Sequence, residues 1–341
     1  MKMIPNPFRH AATLFPLPAD IPAPSVDAAR AQALVTRCPH HAATPLSRNA
    51  TLEAALGVAE VWVKDERARM GLGSFKALGA AYVIACDAQT GTAKGQTYVT
   101  ASAGNHGLSV AAGAAAFGAQ AVIYLSATVP DAFATRLEAI GARVVRAGDD
   151  YEQSMTAAAQ AATDNGWTLL SDSSWDGYIT IPHRLMEGYL VLMAEVIADL
   201  PQPPTHIFLQ AGVGGLAGAA AALARAAWGD APLITVVEPE AAPALQASIV
   251  AGHSVVAPGP VSAMGRLDCK EPSLIALCGL ARDADHFATL TEAEGAAASA
   301  QAQAAGLTST PSGTAGLGGA MGSTLPADAR VLLIASEGAE G

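Results

Sequence analysis

Three short stretches carry residue types that can do chemistry. The first, Lys64 to Tyr82, reads KDERARMGLGSFKALGAAY. Charges crowd its first half, and then a single lysine, Lys76, follows Gly-Ser-Phe and precedes an apolar run from Ala77 to Ala85. Most lysines are solvated, and a lysine entering a helix is unremarkable by itself. Here Phe75 and the Ala-Leu-Gly-Ala-Ala-Tyr-Val-Ile run would hold the amine against the core. Desolvation lowers a lysine pKa and makes the amine a nucleophile toward a carbonyl.

The second stretch is ASAGNHG, Ala101 to Gly107. Asn105 offers a donor and acceptors at the C-terminal end of a strand-like TYVTA, which is where α/β folds bind ligands. A helix cap by Ser102 or Asn105 is the plainer reading. The third is QAGVGGLAG, Gln210 to Gly218, between a strand-like HIFLQ and an Ala-rich helix. Its glycines let the backbone approach an oxyanion, and a helix N-terminus offers unpaired N–H groups and the positive end of a dipole. Read as GxGxxA it also fits a dinucleotide fingerprint, with Glu238 placed 24 residues after Gly214. Phosphate binding, a dinucleotide and a structural tight turn all stay open on this stretch alone.

The elements that must position these residues alternate along the chain. VAEVWVK, TYVTA, AVIYL, RVVRA, HIFLQA, LITVVE and RVLLIA read as strands. FKALGAAYVIACDAQ, GNHGLSVAAGAAAFG, the segment Asp131 to Ile140, GLAGAAAALARAAW and TPSGTAGLGGAM read as helices. This alternation predicts an α/β architecture with parallel strands buried on both faces. QTGTAKGQ and ADLPQPPT are the clearest loops, and no fixed-period repeat is present.

Bulk composition narrows the function classes. A chain of 341 residues with 51% hydrophobic and 14% charged residues is globular and long enough for two lobes. A net charge of −11 excludes a basic surface for nucleic acid and suits small-molecule substrates. Gly107 to Pro130 carries no charge, yet its Gly and Ala content and the break at Phe117-Gly118-Ala119-Gln120 predict a buried helix and strand, not a membrane span. Cys38, Cys86, Cys269 and Cys278 have no metal-ligand spacing and read as reduced thiols of a cytoplasmic protein. Prolines in MKMIPNPFRHAATLFPLPA interrupt what a signal peptide would need.

Taken together, the lysine, the asparagine turn and the glycine loop resemble the pyridoxal-phosphate enzymes of the tryptophan-synthase β-subunit type, fold type II. The resemblance is closer still to the diaminopropionate ammonia-lyases. KDERARMGLGSFKALGAAY is similar to their signature KDE…R.GL..FK.LGG.Y, and SDSSWDGYITIP to their D..W.GY..IP segment. ASAGNHG, QAGVGGLAG, VVEPE, MGRLDCKEPS, PSGTAGLGG and LLIASEG follow in the family's order, so the resemblance covers roughly residues 35 to 338.

The resemblance implies two α/β lobes of twisted parallel sheets flanked by helices, with the cofactor between them. Residues 1–84 and 176–341 would form the large lobe and 85–175 a small inserted one. Lys76 would bind the cofactor aldehyde covalently and then take the α-proton of the substrate. Asn105 would hydrogen-bond the ring oxygen, and the backbone of Gly212, Val213, Gly214, Gly215 and Leu216 would cradle the phosphate. Ser336 would face the pyridine nitrogen, where a hydroxyl leaves that nitrogen largely unprotonated. Asp172 is either a cap or loop carboxylate, or the group that meets a second ammonium on the substrate. No metal ligands are expected.

The implied reaction is α,β-elimination from a small amino acid, 2,3-diaminopropionate, to pyruvate and ammonia, by a homodimer. Two positions depart from the lyases: Ala103 stands where they carry Asp, and Pro311 where they carry Glu. Ala103 favours a second reading, a dehydratase of threonine, serine or a 3-hydroxyamino acid.

Overall fold

The computed structural model describes residues 1–11 and 15–339. Its strands are β1 (Lys2–Pro5), β2 (Leu46–Arg48), β3 (Glu60–Asp65), β4 (Thr97–Ala101), β5 (Gln120–Leu125) and β6 (Arg143–Arg146), then β7 (Thr168–Leu169), β8 (His206–Gln210), β9 (Leu233–Pro239), β10 (His286–Leu290) and β11 (Arg330–Ala335). They form two sheets. Seven strands run in the order β1-β10-β9-β8-β11-β3-β2, with only the edge strands β1 and β2 antiparallel. The other four, β6-β5-β4-β7, are all parallel. The apolar runs of β8 and β9 are buried on both faces, as central parallel strands must be when helices cover each side.

The helices are α1 (Ala28–Val35), α2 (Ala50–Leu56), α3 (Lys76–Gln89), α4 (Asn105–Ala116), α5 (Asp131–Ala139) and α6 (Tyr151–Asn165), followed by α7 (Thr180–Asp199), α8 (Gly215–Trp228), α9 (Ala244–Ala251), α10 (Leu274–Asp283), α11 (Glu292–Ala304) and α12 (Ala315–Met321). The uncharged stretch from Gly107 to Pro130 becomes most of α4 and all of β5. No helix among the described residues is long and apolar enough to cross a membrane. The run TPSGTAGLGGAM is helical only from Ala315, because the Thr310 hydroxyl accepts from Gly313 N–H and holds its first half in a turn.

Two features fix the helix that begins at Lys76. The first is a close crossing of α3 and α7. A Cβ on Gly188 would lie 2.5 Å from the carbonyl oxygen of Leu78, so only glycine lets the two backbones meet there. The second is a buried charge network. Arg69 Nη2 lies 2.7 Å from both Glu66 Oε1 and Glu195 Oε2, and Lys64 Nζ 2.6 Å from Glu195 Oε2. Thr44 bridges the set, donating to Glu66 at 2.6 Å and accepting from Lys64 at its carbonyl.

Two cations thus balance two carboxylates, tying the end of β3 and the following 3-10 turn to α7 on the far side of α3. Removing one partner would leave a buried charge uncompensated, at a cost of about 3–5 kcal/mol. The KDE…R half of the first signature is therefore scaffold, and Arg69, without a role on sequence grounds, belongs to it.

Candidate active site

Four chain segments converge at the C-terminal ends of parallel strands. β3 leads through the 3-10 turn to Lys76, β4 to Asn105, β8 to the glycine loop, and β11 to Ser336. Backbone hydrogen bonds join them: Phe75 N–H donates to Ser336 O at 3.1 Å, and Ser336 N–H to Gly313 O at 3.2 Å. His106, buried on α4, contacts Leu170 O through Nε2 at 2.8 Å and so holds the start of α4 to the segment that carries Asp172.

Lys76 and Asp172 form an ion pair, Nζ to Oδ2, with both side chains largely buried. The Lys76 amine also lies 5.3 Å from the centroid of the Phe75 ring. Burial alone would lower the lysine pKa, but the Asp172 carboxylate outweighs it and holds the ammonium well above the usual lysine range. Burial would likewise raise Asp172, but Lys76 and then His106 hold it well below the usual carboxylate range. This reverses the sequence expectation that desolvation lowers Lys76. The capping and solvated-loop readings of Asp172 fall with it.

The glycine loop has the shape an anion requires. Gly214 adopts φ +97°, the left-handed region that favours glycine, and a Cβ there would press on Ala276 Cβ at 3.0 Å and Leu245 Cδ1 at 3.1 Å. The N–H groups of Gly214, Gly215 and Leu216 at the start of α8 have no protein acceptor among the described residues. Free donors at a helix start can receive an anion, and Gly214→Asp would disturb them by forcing a side chain from a left-handed backbone against Ala276 and Leu245. Cofactor occupancy of the dialysed variant, read from visible absorption, is expected to fall by an order of magnitude or more. Undiminished occupancy would mean that the phosphate binds elsewhere.

Glu238 decides against the dinucleotide alternative for the same loop. It is fully buried and accepts from the N–H groups of Leu245 at 2.7 Å and Gln246 at 2.8 Å, at the start of α9. Burial pushes its carboxyl up to about 8. A carboxylate committed to a helix terminus in the core cannot reach a ribose.

Three nearby side chains carried no assigned function on sequence grounds. Glu337 accepts from Asn105 Nδ2 and from the Thr310 hydroxyl, and Arg266 Nε lies 3.8 Å from it. The LLIASEG motif contains Glu337, but nothing in the sequence says that its side chain turns inward. Arg266 Nη1 lies 2.4 Å from where a Cβ on Gly104 would sit, which places its guanidinium against the asparagine turn. Tyr189 is hidden in the apolar run of α7. A cavity of about 410 Å³, lined in part by Arg266, Thr310 and Pro311, opens beside Glu337. Pro311 therefore borders this cavity.

These residues fit pyridoxal phosphate: an anion cradle at a helix start, a buried lysine, and a hydroxyl and an amide on facing segments. Residues 38–337 match the family described as pyridoxal-phosphate dependent enzyme, and the chain belongs to that family. Its two parallel sheets flanked by helices are the fold type II arrangement.

Within the family, the chain is 33% identical over 267 residues to a diaminopropionate ammonia-lyase of Salmonella typhimurium, covering 70% of this chain and 66% of that protein. It thus spans just under two thirds of that relative's length. A serine dehydratase-like protein of Rattus norvegicus is 30% identical over 234 residues, covering 68% and 67%. The crystal structure of diaminopropionate ammonia-lyase from Escherichia coli, in complex with an aminoacrylate-PLP azomethine reaction intermediate, superposes with a TM-score of 0.83 at 28% identity, over 99% of this chain and 93% of that one.

Proposed function

We propose that this protein is an ammonia-lyase that eliminates the β-substituent of a small amino acid, with 2,3-diaminopropionate as substrate and pyruvate and ammonia as products. The observation that carries the proposal is the buried Lys76–Asp172 pair, set among Asn105, the 212–216 loop and Ser336. Bound pyridoxal phosphate supplies an electron sink for the charge that develops at the substrate α-carbon.

The chain's own residues do the rest. The N–H groups of Gly214, Gly215 and Leu216 bind the phosphate, with Gly212 and Val213 leading the backbone into the cradle. Asn105, tied to Glu337, orients the ring through its amide. Ser336 meets the ring nitrogen as a neutral hydroxyl. Lys76 Nζ holds the cofactor and afterwards carries the α-proton. Asp172 Oδ2 keeps the lysine amine protonated until a substrate ammonium competes for the carboxylate. A β-amine leaves well only when protonated, and a carboxylate at this place keeps it so.

Residues 1–84 with 176–341, and 85–175, make the two lobes of the proposal. The four-stranded sheet lies wholly within the second range, although the boundary at residue 85 falls inside α3. The proposal includes a cytoplasmic homodimer: all four cysteines are free, and Val250, Val256 and Val261 are exposed apolar side chains of the kind a second copy would cover.

One observation favours a second reading. Ala103, in the turn before Asn105, brings no acid to the site, and a serine or threonine dehydratase needs none there. Pyruvate and 2-oxobutyrate release from D- and L-diaminopropionate, D- and L-serine and L-threonine separates the two. The expected order puts L-diaminopropionate first, ahead of its D-isomer because Ala103 offers no base on that side. Faster turnover of threonine or serine than of either diaminopropionate isomer would hand the assignment to the dehydratase.

A further inference from the structure

Tyr189 sits where neither the motifs nor the proposed reaction assigns anything. Its ring is fully buried on α7, and its hydroxyl lies against the Lys76 amine without making a hydrogen bond of normal geometry to any described residue. The ring is wedged in place. A Cβ on Gly79 would lie 2.7 Å from its Cε1 and one on Gly215 3.5 Å from its Cε2, while the Phe75 ring meets it edge-on at 4.9 Å between centroids. α3, the phosphate loop and the residue preceding Lys76 therefore all fix where this hydroxyl points. The charged groups that act on it are Lys76 and Asp172. Cys269 and His106 border the same pair.

A buried hydroxyl left without a well-formed hydrogen bond costs free energy, so its retention calls for a better contact in another state of the site. We propose that Tyr189 is a positioning residue for the reaction, its phenol oxygen accepting a hydrogen bond from Lys76 Nζ when substrate draws Asp172 away. Asp172 cannot serve the lysine and a substrate ammonium equally at once. Tyr189 is neutral, because burial raises its phenol well above the usual range. It can therefore hold the lysine nitrogen without competing for the substrate's positive charge. The rigid ring makes it the fixed partner and Asp172 the exchangeable one.

This rests on Lys76 being the residue that holds the cofactor, and the experiment separates the two. Borohydride reduction of the holoenzyme with peptide mass mapping comes first, and label on another lysine overturns both readings. With label on Lys76, Tyr189→Phe is compared with wild type and with Tyr82→Phe, which removes another buried hydroxyl from the same α3–α7 region, one that faces Cys86 and not Lys76.

Three results are expected of Tyr189→Phe. The apo protein melts no lower than wild type, since no hydrogen bond of normal geometry is lost. The pH midpoint of kcat under saturating substrate, the state in which Asp172 is drawn away from Lys76, moves down by about one unit, because an acceptor that favours the charged nitrogen is gone. The kcat falls about 10- to 100-fold with KM little changed. Tyr82→Phe should shift neither the midpoint nor kcat. An unmoved midpoint with unchanged kcat in Tyr189→Phe overturns the inference, as does equal behaviour of the two variants.

Discussion

Lys76→Ala is expected to yield a protein that binds pyridoxal phosphate without the covalent visible band and turns over diaminopropionate at least about 10²–10⁴-fold more slowly. Two functions end with the same atom, since Nζ both holds the cofactor and carries the α-proton. Mass mapping of reduced wild-type protein should place the label on Lys76 alone. Lys64 cannot take its place, because its ammonium is fully buried against Glu195 and Thr44 in the scaffold network. Lys270 is equally committed, donating to Asp268 and to the carbonyls of Ala241 and Pro260.

A second consequence follows for the apo fold. Without Lys76, the larger of its two cationic influences, Asp172 is a buried carboxylate with His106 as the remaining one, so its pKa should rise. Adding Asp172→Asn to Lys76→Ala should then restore apo stability toward wild type. Label found away from Lys76, or full activity in Lys76→Ala, would remove the basis of the site.

Asp172→Asn should separate two tasks that one carboxylate performs. The first is shared by every substrate: Asp172 keeps Lys76 protonated in the resting site, and without it burial, the largest influence on the amine, is opposed only by Tyr189 and Cys269 and the pKa falls. The second is specific to a substrate with a second ammonium. A charge-assisted hydrogen bond of that kind is worth roughly 1.5–3 kcal/mol, which corresponds to about 10- to 150-fold in turnover.

Serine should therefore report the first task alone, and diaminopropionate both. The expected result is a loss of pyruvate formation from diaminopropionate that exceeds the loss from serine by about 10- to 150-fold. Equal losses on the two substrates would confine Asp172 to its partnership with Lys76. The difference between the two losses, not either loss by itself, measures recognition of the second amine.

Much of the frame was legible in the residue pattern, and for local reasons. β8, β9 and β11 are short runs of branched residues closed by glycine or acid. A strand buried on both faces has to look like that, whatever its neighbours. The glycine loop was legible because a positive φ at Gly214 and close approach to an anion both demand glycine, a requirement written in residue type. Lys76 stood out because a lone charge entering an apolar helix needs a reason.

Other elements carry no such signature. β7 is two residues long, and β1 and β2 are edge strands whose pairing depends on distant partners. Helix α7 reads as a plain apolar stretch until Gly188 and Tyr189 are seen against α3.

The electrostatics of the site belong to the tertiary structure. On the sequence, Lys76 had only apolar neighbours, and desolvation was the one effect that could be reasoned about. Asp172 stands 96 positions away, and tertiary contacts of its segment, His106 on Leu170 O and Ser174 on Ser273 among them, bring its carboxylate to the amine and reverse the sign of the shift. Arg69 and Lys64 sit within twelve residues of Lys76 and looked equally chemical, yet the fold buries them against Glu66 and Glu195. Glu238 had the spacing of a ribose ligand and became a helix cap. Residue type and local pattern determined which segments could bind a phosphate or present an amine. Which charge faces which was decided by long-range packing, because Coulombic partners are set by distance in space and not by distance along the chain.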